Sequence, residues 1–293
     1  GAVARPNAKL SFNAEASEAH VPGRHLNALL NAQDTLGINI DEEAINKHSR
    51  TAFRSYSGSI ALPINRADKK SAPVNFDPHN IREGLHALYS LVKYRHSDRA
   101  QFIAEACIDA IFKHWGTDGK WNFNRLERDH GLKCTEYDFQ GFISGIARAI
   151  GPLVKYYETT GYTPAIKLAN VLKERSVEEF FKTDGLYDGE KFGHHTHSTT
   201  CVMSSLAQLA NVTSDSTLMD RVKSFYDNGL WDIRDFLGWV IESSRNNADP
   251  DRGEINNSGD ILETCLILGN AGYTECFDDA ERILRGHILP SQL

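Results

Sequence analysis

The 293-residue chain carries 41% hydrophobic and 24% charged residues, the balance of a globular protein long enough to bury a sizeable core. Its formal net charge of −7 argues against a nucleic-acid partner, because neutralising phosphates takes a basic face. No apolar run approaches the roughly 18 residues a membrane span needs, and no charged-then-apolar signal pattern opens the chain, which leaves the compartment undetermined.

Residues 1–22 lack periodicity and read as an N-terminal arm ahead of one domain, 23–293. Leu26, Leu29 and Leu30 share one helical face, and a second amphipathic segment follows Asp41, whose place before Glu42 and Glu43 suits an N-cap. Residues 54–79 read as a polar loop with Pro63, Pro73 and Pro78. Then comes a repeat. Ile81 to Tyr94 turns at His96-Ser97-Asp98 into Phe102 to Phe112. Phe142 to Tyr157 turns at Thr160-Gly161-Tyr162 into Ala165 to Phe181. Val202 to Leu209 turns at Thr213-Ser214-Asp215 into Leu218 to Phe225, and Ile261 to Leu268 turns at Gly272-Tyr273 into Phe277 to Leu284. The turns recur at roughly 64, 53 and 58 residues, the length of a helical hairpin plus its connection. A further hairpin is expected at the N-terminus and a single extra helix around Trp231 to Ile241.

Turns within a hairpin are short. Connections between hairpins are long: 54–79, 115–138, 183–198 and 245–259. That asymmetry, with almost no strand signal, predicts an all-α fold, an (α/α)6-type toroid of repeated hairpins, complete or lacking some of them, or else a curved α-solenoid. The long connections all enter the first helix of a hairpin, so a closed toroid gathers them on one face. They end in polar residues: Asn80 and Arg82, Tyr137 and Asp138, His194 to Ser198, and Glu254 to Asp260 running into Glu263.

Three of the twelve histidines, His194, His195 and His197, fall within four positions. An extended loop places His195 and His197 on the same side, able to hold one substrate or one metal. Glu254, Asp260 and Glu263, with Asp138, supply the paired carboxyl groups that a sugar-cleaving site needs. Each also reads as an N-cap or surface charge, Asp260 above all. Tyr137 fits a proton carrier in a lyase, which needs no such pair. Trp121, Tyr187, Phe192 and Trp239 offer faces on which sugars stack, and Asn256, Asn80 and Arg82 offer hydrogen bonds. The five cysteines contain no CxxC pair and read as small buried residues. P-loop, GxGxxG, HExxH and GxSxG motifs are absent, so nucleotide, zincin and serine-hydrolase chemistry has no support.

The stretch Gly259-Asp260-Ile261-Leu262-Glu263-Thr264-Cys265, with Tyr273 and Asp278-Asp279-Ala280-Glu281-Arg282-Ile283-Leu284, resembles the six-hairpin glycosidase-like superfamily, and in motif the β-L-arabinofuranosidase type of glycoside hydrolase. The resemblance implies a toroid and a sugar substrate. It also implies zinc ligation by Glu263 and Cys265 together with two downstream cysteines, one of them the nucleophile, and this chain has no such downstream pair. Superfamily members commonly continue into a β-sandwich, so the resemblance implies such a domain, or a second copy, as assembly partner. Read on its residues alone, the chain is expected to need no cofactor. The expectation is a glycoside hydrolase acting on an oligosaccharide or glycoside, against a polysaccharide lyase using Tyr137 and a histidine. A non-catalytic α-solenoid binding module is the alternative of another class. A separation of Tyr137, His197 and Glu254 beyond roughly 15 Å, well outside glycosidase carboxyl spacings, would favour that module.

Overall fold

The computed structural model describes residues 12–116, 119–134, 141–245 and 252–292. The chain divides into two compact units, Gly1–Thr135 and Glu136–Leu293.

In the N-terminal unit, α1 (Val21–Leu36) and α2 (Glu42–Ser55) form the first hairpin, and Asp41 accepts from the Glu43 N–H to cap α2. Strands β1 (Ile64–Arg66) and β2 (Pro73–Phe76) pair antiparallel, Ile64 opposite Phe76. The next hairpin is α3 (Ile81–Arg95) and α4 (Asp98–His114). It turns at His96, which takes the left-handed conformation at φ 50°, and Ser97 caps α4 by accepting from Ala100 N–H. After it, α5 (Phe123–His130) is capped by Asn122, and β3 (Lys133–Cys134) adds parallel to β2.

α1 packs on α3, whose residues from Ile81 to Val92 are nearly all buried. The axes approach closely at Gly23, where a β-carbon would overlap the Glu83 carbonyl, so only glycine fits. The segment 54–79 is not the polar loop that its prolines predict. Leu62, Ile64 and Phe76 are fully buried in it, and strands of three and four residues are too short for alternation to show. The later part of the N-terminal arm is also packed: Asn65 Oδ1 accepts from the Glu18 and Ala19 N–H groups, and Glu18 pairs with Arg66 at 2.6 Å.

In the C-terminal unit, residues 141–149 form turns and a 3-10 turn, so the helix expected from Phe142 begins only at Ile150. The hairpins are α6 (Ile150–Thr160) with α7 (Thr163–Arg175), then, after the short α8 (Gly189–Phe192), α9 (Thr196–Thr213) with α10 (Ser216–Asp227), and α11 (Ile255–Asn270) with α12 (Glu275–Ile283). α9 lies between α6 and α11 and is buried almost throughout. Its Thr and Ser residues fit that place, since small side chains let helices flank it on two sides.

No helix spans Trp231 to Ile241. A 3-10 turn covers Gly229–Asp232, followed by antiparallel bridges Arg234↔Val240, Ile241↔Gly253 and His195↔Ser243. The reason is local: Asp235 accepts from the Leu237 and Trp239 N–H groups, and Gly238 sits at φ 83°, a turn no helix can run through. Buried Arg234 pairs with Asp279 at 2.9 Å and ties this segment to α12.

Candidate active site

The site forms where the N-termini of α9 and α11 meet the bridged segment 240–254. Backbone bonds hold the loop 193–196 there. Ser244 N–H donates to the His194 carbonyl at 3.0 Å, Thr196 N–H donates to Glu242 at 3.4 Å, and the Thr196 hydroxyl donates to the Ile241 carbonyl. Glu254 N–H donates to Val240 at 3.3 Å and so fixes the approach to α11. His195 is the N-cap residue of α9, Glu254 that of α11, and His197 lies in the first turn of α9. The pair His195 and His197 is therefore not on an extended loop. A cap residue and a first-turn residue bring the two rings to 5.8 Å, nearly perpendicular at 81°.

Glu254 lies between the imidazoles. Its Oε2 is 3.6 Å from His195 Nε2, and its Oε1 is 3.6 Å from His197 Nδ1. Asn256 Nδ2 donates to the same Oε1 at 2.5 Å. Beyond His197, Nε2 is 3.5 Å from Asp260 Oδ2, which also accepts from the Thr200 hydroxyl at 3.1 Å. Thr200 lies 2.8 Å from Asn257 Oδ1 as well, linking α9 to α11. Ser198 Oγ lies 2.8 Å from His195 Nδ1. The gradient of exposure matters: the His195 and Glu254 side chains are 19% and 22% exposed, those of Asp260 and His197 only 12% and 2%. His195 and Glu254 therefore meet solvent, while His197 and Asp260 support them from behind.

This geometry rules out one pairing. The imidazole of His197 stands between Glu254 and Asp260, so no sugar can lie between those two carboxylates as it must between the acid and base of a glycosidase. Glu263 is three residues beyond Asp260 on the same face of α11. It accepts from Ser204 at 2.5 Å and Gln208 at 2.9 Å and lies 3.6 Å from Lys155 Nζ.

His194 faces Ser244 (Nδ1 to Oγ 3.1 Å) and Glu190 (3.4 Å), away from Glu254. Tyr187 donates to Ser244 at 3.0 Å, and burial raises its phenol. Tyr187 also lines a groove of about 520 Å³ with Phe180, Lys182, Asp188, Lys191 and Phe192, which the His–Glu cluster does not line. Phe192, although it borders that groove, is 2% exposed and belongs to the core. Trp239 is half-buried and packs over Gly253.

Asn80, Arg82 and Trp121 belong to the N-terminal unit. Asn80 is buried, donating to the Glu15 carbonyl at 2.8 Å, and Trp121 packs edge-on against Phe76. Arg82 Nη1 donates to Glu83 at 2.9 Å. Tyr137 and Asp138 lie outside the described residues. Glu83, at the end of the same connection as Arg82, carries no role in the sequence reading beyond that of a polar loop end. It is fully buried and faces Arg82, Arg24 at 3.8 Å and His20 at 3.5 Å, and a glutamate on the apolar face of α3 was the available signal.

The Glu263–Cys265 pair that the resemblance implies for zinc does not assemble. Two positions along a helix point to nearly opposite faces. Cys265 is buried against the Tyr226 hydroxyl at 2.9 Å, and burial pushes its thiol up to about 12, so it stays protonated.

The chain matches no family model and no curated protein. Among solved structures it is similar to a sugar epimerase from a ruminal bacterium, with a TM-score of 0.66 and 13% identity, over 94% of this chain and 77% of that one. It is also similar to the unsaturated glucuronyl hydrolase of Bacillus sp. GL1, with a TM-score of 0.59 and 14% identity, over 94% and 75%. A third is a β-L-arabinofuranosidase of Geobacillus stearothermophilus T6, with a TM-score of 0.58 and 13% identity, over 94% of this chain and 47% of that one. The fold is all-α and of the α/α toroid kind. At these identities the likeness is one of fold.

Proposed function

We propose that the chain is a carbohydrate-active enzyme that hydrolyses a glycoside, with Glu254 as a proton-transferring carboxylate. The observation that carries this reading is Glu254 itself: it reaches solvent, both its oxygens face imidazoles, and Asn256 donates to one of them. His195, partly exposed beside Oε2, can pass a proton between that carboxylate and the substrate or water. Asp260 and Thr200 hold His197 in place, which in turn fixes Glu254. The second carboxyl group of a hydrolase must come from elsewhere than Asp260, and Glu263 and Asp138 are the sequence candidates that remain. The fold supports a sugar substrate, because the similar structures carry names from sugar chemistry: an epimerase, a glucuronyl hydrolase and an arabinofuranosidase.

The test is release of reducing ends from a broad panel of oligosaccharides and aryl glycosides. Wild-type protein is expected to release them, and Glu254→Gln to lose at least about 100-fold in kcat/KM, the scale of a lost general acid or base, with its melting temperature unchanged. Silence across the panel overturns the reading. A second reading, proton abstraction by His195 in a lyase, is favoured by one observation: Ser198 Oγ lies 2.8 Å from Nδ1, which orients the ring with Nε2 toward the partly exposed Glu254 carboxylate. Products that absorb in the ultraviolet without water uptake would establish it in place of hydrolysis.

A further inference from the structure

We propose that His195, His197 and Glu254 form a binding site for one divalent transition-metal ion of the zinc class. One ring nitrogen each of His195 and His197 and a Glu254 oxygen all lie within 4.8 Å of one another. Zinc takes imidazole nitrogen and carboxylate oxygen at about 2.0–2.2 Å, which sets donors about 3.5 Å apart. Each imidazole already has a Glu254 oxygen at 3.6 Å, Oε2 for His195 and Oε1 for His197, so an ion between the rings would meet the carboxylate through both oxygens or, after side-chain rotation, through one.

Outer contacts point the same way. A metal-binding histidine turns one nitrogen to the ion and holds the other on a carboxylate, carbonyl or hydroxyl, which fixes the tautomer and the ring plane. Both imidazoles are set up like this. His195 keeps Nδ1 on Ser198, and His197 keeps Nε2 toward Asp260, itself held by Thr200. Asn256 steadies the glutamate. The donors sit on two helix N-termini locked by backbone bridges, so little ordering is left for the ion to impose. Ionised, Glu254 and Asp260 bring two negative charges, equal to the charge of one divalent ion, and the nitrogen and oxygen donors with no thiolate select zinc, cobalt, manganese or nickel over soft ions. Three protein ligands leave the ion a coordination position open toward solvent, the arrangement of a substrate-facing rather than a closed structural site.

The inference uses residues of the proposed catalytic cluster, and an ion held by His195 and Glu254 would occupy the lone pairs assigned above to proton transfer, so the two roles belong to different states of the site; the metal readout needs no substrate, so either reading can fail alone. The experiment titrates the metal-stripped protein with Co²⁺, follows the visible d–d absorption, and displaces the ion with Zn²⁺, with calorimetry for stoichiometry. One ion per chain is expected. His195→Ala is the decisive variant, since that partly exposed side chain can be removed with the helical circular dichroism unchanged; affinity should fall at least tenfold. Glu254→Gln should do the same, and Asp260→Asn should weaken binding about 10- to 100-fold, the usual effect of losing a ligand's orienting partner. Glu263→Gln should bind as wild type. No saturable one-to-one binding, or binding that survives His195→Ala and is lost in Glu263→Gln, overturns the proposal.

Discussion

Phe192→Ala tests how the site is held. Phe192 ends α8, one residue before Gly193 and three before His195, and is 2% exposed. Its ring packs on four others, with centroids at 5.5 Å to Phe180, 5.2 Å to Phe181, 5.2 Å to Tyr187 and 5.5 Å to Phe225. Truncating a buried phenylalanine costs about 3–5 kcal/mol in transfer and cavity terms. Four aromatic neighbours, at about 0.5–1.5 kcal/mol for a well-placed pair, put this site in the upper half of that range. Urea unfolding should show a loss of about 4 kcal/mol, while Phe192→Leu, which keeps most of the volume, should lose about 1–2 kcal/mol. The same variants report on function, because the cluster anchors the loop that presents the imidazoles. Co²⁺ affinity at a temperature below the transition should fall in Phe192→Ala and hold in Phe192→Leu. A loss under 1 kcal/mol would refute the packing argument. Full stability loss with unchanged affinity would refute the anchoring argument, and would leave the bridges from His194 and His195 to residues 243–244 as what positions the site.

Three further outcomes are expected. Thr200→Val removes a buried hydroxyl that lies within hydrogen-bond distance of Asn257 and Asp260, so unfolding free energy should drop by about 1–3 kcal/mol, read by chemical denaturation. Gly259→Ala, in α11 with nothing within 4 Å of the added carbon, should stabilise by about 0.5–1 kcal/mol on helix propensity, checked by the same method. His25 Nδ1 and His48 Nε2 lie 3.1 Å apart; burial lowers both, and for His48 the neighbouring His25 adds to it. The unfolded state then binds more protons than the folded one below about 6.5, so stability is present above that pH and falls as pH drops. Melting temperatures from pH 7.5 to 5 should decline less in His48→Gln than in wild type.

The hairpins were legible because each is a long amphipathic pair punctuated by residues with one job. Ser97 and Asp215 accept from N–H groups at helix starts, and His96, Gly161 and Ser214 take the left-handed turn, as the short-turn signals predict. What could not be read was everything that depends on a partner strand. β1 and β2 are three and four residues long and the bridges at residues 234, 241 and 195 are single residue pairs, so their apolar residues are too few for a period to emerge. The expected helix at Trp231 to Ile241 shows the mechanism of failure. Its apolar spacing suits a helix, yet Asp235 bonds locally to two backbone N–H groups, and that turn chemistry wins over periodicity.

The candidate site was half legible for the same reason. Sequence brought His194 to Ser198 and Glu254 to Glu263 to hairpin entrances, and hairpin entrances on neighbouring first helices, α9 and α11, do meet. It could not say which atoms face which, because a helix start one residue earlier or later rotates a side chain by about 100°. Thr196, not Ser198, opens α9, and its hydroxyl and backbone N–H are tied to residues 241 and 242. That start places His197 inward, between Glu254 and Asp260, and leaves His194 bound to Ser244 outside the cluster. The three adjacent histidines thereby divide into one accessible, one buried and one structural. Shifting the helix start by a single residue would exchange those roles without changing the composition of the loop, so it is the pairing with residues 241–244, rather than the His-x-His spacing, that makes this a site.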